Sequence, residues 1–174
     1  MLKLLSSNLW AEIETLSANA KRKLVAVAYF SDDLRIKFKS GDTLITDASE
    51  ERISNGNTSK KLLANAFDKR VNVYSLPDLH SKIFIFDNIL IIGSTNISSS
   101  SRNRLHEAGI VTDDPTLVAQ AENLLEKYKR GAKRINKKLL QKINSIELLI
   151  SAERPKSIGD DLKPPLLDLL RSNH

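Results

Sequence analysis

The chain has 174 residues, 41% hydrophobic but only 5% aromatic, which is enough for one domain with a core of Leu, Ile, Val and Ala. Its formal net charge is +6, a basic surplus that favours a polyanionic partner, either nucleic acid or an anionic membrane. The absence of cysteine excludes disulfides and thiolate metal sites and fits a reducing compartment. No stretch approaches the roughly eighteen apolar residues of a membrane span, so no integral membrane association is expected. Met1 to Trp10 has one basic residue and no apolar run of a signal peptide. The expectation is a cytoplasmic protein.

Leu9, Ile13, Leu16 and Ala20 recur at helical steps, which predicts a helix over 8–20 with Ser6, Ser7 or Asn8 as candidate caps. LVAVAYF (24–30) reads as a buried strand. Leu34, Ile36 and Phe38 alternate with Arg35, Lys37 and Lys39, which predicts a half-exposed strand. A turn at Ser40-Gly41-Asp42 leads to the short strand TLIT (43–46). Residues 47–59 are polar and read as irregular, with a turn at Asn55-Gly56. Thr58 or Ser59 caps a helix over 60–69. VNVYSL (71–76) is an alternating strand. KIFIF (82–86) and ILIIG (89–93) form a hairpin about Asp87-Asn88. EAGIVT (107–112) is a further strand. Leu117, Ala121, Leu124 and Tyr128 mark one helical face, and Ile135, Leu139, Ile143 and Ile146 another, with Gly131 between.

Strands dominate the centre and helices flank it, so the expected fold is an α/β sandwich with a mixed sheet. The main domain is expected over 1–130. Residues 131–174 are expected to form a basic helical extension and a Pro-containing tail. Three of the five prolines, Pro155, Pro164 and Pro165, stand in that tail. Its Leu166, Leu167, Leu169 and Leu170 suit docking onto another surface. Lys127 to Lys142 holds eight Lys or Arg and no acid, either a solvated face or a phosphate-backbone tract.

The segment with chemistry is LHSKIFIFDNILIIGSTN (79–96), followed by Glu107. His80 and Lys82 stand two apart on a strand and share one face. The hairpin returns the chain so that Gly93-Ser94-Thr95-Asn96 ends beside them. Imidazole, ammonium, hydroxyl and amide donors gathered in one place describe a site for a phosphate-like anion.

His80-Ser-Lys82, four residues to Asp87, then Gly93-Ser94-Thr95-Asn96, resembles the H-x-K-x4-D…G-S-x-N signature of the phospholipase D superfamily. Asn103 to Glu107 resembles the acid-bearing element of its small nucleases. The resemblance implies a phospholipase D-like sandwich and a metal-independent reaction without cofactor. His80 would attack phosphorus and form a phosphohistidine. Lys82 and Asn96 would hold the non-bridging oxygens. Glu107 would set a histidine tautomer. Ser94 and Arg102 would bind phosphate, and Asp87 is read as a structural turn residue. The mechanism needs two histidines and the chain has one H-x-K, so a homodimer with a shared site is expected.

Several neighbouring residues have competing readings. His106 stands beside the acid but on the opposite strand face, and Arg104 follows the Ser-rich loop 98–102. Trp10 is read as core and His174 as a terminal residue. The expected activity is a nuclease cleaving DNA or RNA. The alternatives are a phospholipid (cardiolipin-type) hydrolase or phosphatidyl transferase, and a non-catalytic nucleic-acid-binding module.

Overall fold

An eight-stranded mixed sheet carries the fold. The computed structural model describes residues 1–32 and 36–149. In chain order the elements are β1 (Leu2–Leu5), α1 (Leu9–Asn19), β2 (Lys23–Val27), β3 (Thr43–Thr46), α2 (Glu50–Ser54), α3 (Lys60–Asp68), β4 (Asn72–Ser75), β5 (Lys82–Phe86), β6 (Ile89–Gly93), α4 (Ser99–Asn103), β7 (Gly109–Thr112), α5 (Pro115–Gly131), β8 (Lys133–Arg134) and α6 (Lys137–Ser145). The strand order is β1-β7-β6-β5-β2-β3-β4-β8. β2–β3 and β3–β4 are parallel, and the other pairs are antiparallel. The expected α/β sandwich with a mixed central sheet is therefore what the chain forms.

Side chains alternate across the sheet and divide the core in two. Val25, Val27, Phe84 and Phe86 pack beneath α1, α3 and α6. Leu24, Ala26, Ile83 and Ile85 pack beneath α5 through Val118, Ala121 and Leu125. Ser59 caps α3 through Leu62 N–H, and Asp114 caps α5 through Thr116 and Leu117 N–H.

The α5 side of β1, β7 and β6 has incomplete cover. Leu2, Ile92 and Ile110 there, with Leu117 and Leu124 of α5, line a groove of about 410 Å³ and remain exposed. The expected α5 face divides: Ala121 and Tyr128 pack against the core, and Leu117 and Leu124 line the groove. The helix has two apolar stripes, and the core takes the one through Val118 and Leu125.

Three further expectations change. The strand proposed over 34–39 does not form at 36–39, although Ile36 and Phe38 are buried. Leu34 and Arg35 lie outside the described residues. The buried Asp42 carboxylate takes Lys39 N–H at 2.8 Å and Lys23 N–H at 2.9 Å, so the chain bends instead of extending. The stretch 47–59 contains α2, whose Ile53 enters the core. Ile135 precedes its helix instead of belonging to it, and Leu140 with Ile143 forms the buried stripe of α6. Beyond residue 130, β8 pairs with β4 and α6 packs on the shared core. The proposed tail docking and His174 fall outside the described residues.

The β5–β6 hairpin turns at Asp87, where φ is +54°. Its carboxylate accepts Arg22 N–H at 2.8 Å and Lys21 N–H at 3.1 Å, so it ties the turn to the start of β2. These hydrogen bonds hold the Asp87 carboxyl below its ordinary value of 3.8. A lowered carboxyl value in the folded state means stability that is present above the unfolded value and lost as pH falls through the folded one. Asp87→Asn keeps the shape and tolerates the positive φ but removes the charge. It is expected to cost about 1 kcal/mol at pH 7. Urea unfolding at pH 7 and at about pH 3 checks this, because the difference from wild type must shrink in acid.

Candidate active site

The hairpin brings the predicted polar residues to one end of the sheet. Lys82 pairs with Val27 in register and is buried, whereas His80 is exposed just before the strand. Lys82 Nζ donates to His80 O at 2.7 Å and lies 3.3 Å from His80 Nδ1. Burial pushes the Lys82 ammonium below its ordinary 10.5, and the Glu107 carboxylate opposes that shift. A desolvated cation under a solvent-facing imidazole can neutralise an anion delivered from outside.

Ser94 enters from β6. A Cβ on Gly93 would lie 2.6 Å from Ala108 O, so only glycine permits the close β6–β7 approach that sets Ser94 in place. Ser94 N–H donates to Ala108 O at 2.9 Å, and Ala108 N–H donates to Ser94 Oγ at 3.1 Å. Ser94 Oγ also donates to Glu107 Oε2. The expected Glu107–histidine bond is absent among the described residues of a single chain, and the acid holds Ser94 instead. Asn96 accepts Tyr29 N–H through Oδ1 at 3.1 Å, and its own N–H donates to Ser101 Oγ at 3.2 Å.

Arg102 lines a hollow with Glu107 and His106, and in the single chain its guanidinium meets the Asp32 carboxylate at 2.9 Å with both side chains largely covered. Trp10 lines the same hollow, of about 330 Å³. Trp10 is only partly buried. Arg104 is exposed.

The family model described as cardiolipin synthase, PLD-like domain, matches residues 13–129. The chain belongs to the phospholipase D superfamily. Comparison with curated proteins gives no match. Among solved structures, NucT from Helicobacter pylori is similar with a TM-score of 0.66 at 17% identity, covering 78% of this chain and 99% of its own. Nuc from Salmonella typhimurium, a phospholipase D family member, is similar with a TM-score of 0.59 at 13% identity, covering 78% and 98%. Phosphatidylserine synthase from Haemophilus influenzae is similar with a TM-score of 0.57 at 14% identity, covering 78% of this chain and 40% of its own. At these identities the likeness is one of fold.

The sequence reading gave Tyr29 no part in the site, although its N–H donates to Asn96 Oδ1; the two segments meet only through tertiary packing, and no local signal marks the contact.

Proposed function

We propose that the chain is a metal-independent phosphodiesterase that cleaves nucleic acid through His80, with its active site completed across a homodimer. The contact of buried Lys82 with exposed His80, beside Ser94 and Glu107, carries this reading. A basic chain that covers nearly the whole length of NucT and Nuc favours nucleic acid over lipid.

In the reaction, His80 Nε2 forms a bond to phosphorus as the bond to the leaving oxygen breaks. A histidine of the second copy protonates that oxygen. The same histidine then takes a proton from water, water attacks phosphorus, and His80 departs. Lys82 and the free amide NH2 of Asn96 meet the non-bridging oxygens as charge builds. Attack through Nε2 requires the ring proton of His80 on Nδ1, and the histidine that protonates the leaving oxygen must be an imidazolium with both ring nitrogens protonated.

The exposed groove on β1, β7, β6 and α5 supports the dimer. Leu2 is 74% exposed and Ile92 and Ile110 are each 48% exposed, and with Leu117 and Leu124 they line one apolar groove. Ile92 stands two residues before Ser94, so the face runs up to the site.

Incubation with labelled single- and double-stranded DNA, RNA and cardiolipin vesicles in excess chelator tests the reading. Cleavage of a nucleic acid is expected. Turnover of cardiolipin alone would move the assignment to the lipid side of the superfamily. The alkaline limb of the rate should fall at a pH below 10.5, where Lys82 loses its proton. A kcat flat up to that pH would remove Lys82 from the anion's charge balance.

A further inference from the structure

The site end of the sheet holds a buried carboxylate that the proposed reaction does not use. Asp47 follows β3 directly and is 2% exposed. Its Oδ2 accepts Asp78 N–H at 3.0 Å, and its Oδ1 accepts Ser49 N–H at 2.9 Å. Its main chain is held as well. Asp47 N–H donates to Ala28 O at 3.2 Å, and Thr58 Oγ1 donates to Asp47 O at 2.7 Å. Arg52 Nε stands 3.6 Å from Oδ2 and balances the charge.

Asp78 lies two residues before His80 and has φ of +62°. A non-glycine residue keeps such a backbone only where its surroundings hold it. Pro77 and Asp78 are exposed, and Leu79 between Asp78 and His80 is buried. The Asp47 carboxylate therefore holds the outward loop from which His80 projects. A buried carboxylate is costly unless hydrogen-bonded, so its occupation by loop N–H groups couples its burial to the pose of that loop.

The same carboxylate reaches the other side of the site. The Arg52 guanidinium lies 5.7 Å from the Tyr29 ring centroid, and Tyr29 N–H donates to Asn96 Oδ1. One buried group thus connects the loop bearing His80 with the segment that orients Asn96.

We propose that Asp47 is a positioning residue: through Asp78 it sets His80, and through Arg52 and Tyr29 it supports Asn96. This rests on the reading of His80 as nucleophile. Misplacing a reacting group by about 1 Å costs on the order of 100-fold in rate.

The test compares wild type with Asp47→Ala and with Asp47→Asn, which preserves shape and one acceptor oxygen if the alanine chain fails to fold. Two readouts are taken on folded protein well below its melting point. These are kcat and KM on the preferred nucleic acid, and hydrogen exchange at the Asp78 amide. The expected result is a fall in kcat of at least about tenfold with KM within about twofold, and faster exchange at Asp78. Faster exchange with unchanged kcat overturns the proposal, as does unchanged exchange. If wild type itself cleaves no phosphodiester, the reading of the reaction fails separately. Asp47 is then judged by the His80 ring resonances, which Asp47→Asn must shift if the carboxylate positions that ring and must leave in place if it does not.

Discussion

His80→Ala is expected to lower phosphodiester cleavage by at least about 10⁴-fold while the fold persists. Removing a covalent nucleophile leaves only binding and electrostatic stabilisation of the transition state, and such losses run to several orders of magnitude. His80 is exposed and its side chain fills no core, so truncation should move stability by less than about 0.5 kcal/mol. Steady-state rates together with a urea melt separate the two effects. Wild-type activity in the alanine chain would assign the chemistry elsewhere. A melt shifted by several kcal/mol would make the rate loss uninformative.

Charge placed on the bare apolar face should separate the copies and silence the site together. Ile92→Asp with Ile110→Asp puts two carboxylates per chain into the proposed interface, and the two-fold axis doubles that number. Burying unpaired charge against an apolar surface costs several kcal/mol, so the dimer Kd should rise by at least about 100-fold. Sedimentation at micromolar concentration should report a monomer with an unchanged far-ultraviolet spectrum, because both side chains already face solvent in the single chain. Activity should fall in proportion to the lost dimer. A substituted chain that remains dimeric would place the interface on another face. A monomer with full activity would show that one chain suffices.

The hairpin was legible because all its information is local. KIFIF and ILIIG are short apolar runs joined by Asp87-Asn88, and that turn alone sets which polar ends meet. Local sequence did not show the ion-pair partner of Arg102, because Asp32, about seventy positions earlier, reaches it only through the tertiary pairing of Phe30 with Ile97. The partner that Glu107 has within one chain, Ser94, was equally hidden, since the glycine-dependent β6–β7 pairing sets it. β1 carried no expectation at all. It is an edge strand of four residues, three of them exposed, and only its long-range pairing with β7 makes it a strand. The second apolar stripe of α5 showed as periodicity without showing which stripe the core would take. That is a packing outcome, and the stripe left over lines the groove proposed as the interface.

The central claim is a covalent bond between His80 and the substrate's phosphorus. Rapid mixing of excess chain with a short oligonucleotide, quenched in base because a phosphoramidate is acid-labile, followed by mass analysis of the peptide holding His80, tests it most directly. The account predicts a nucleotidyl adduct on His80 within the first turnover, on no more than one of the two chains of each dimer, and absent from His80→Ala. Cleavage that proceeds at the wild-type rate with no adduct at any time, or with an adduct on another residue, would contradict it.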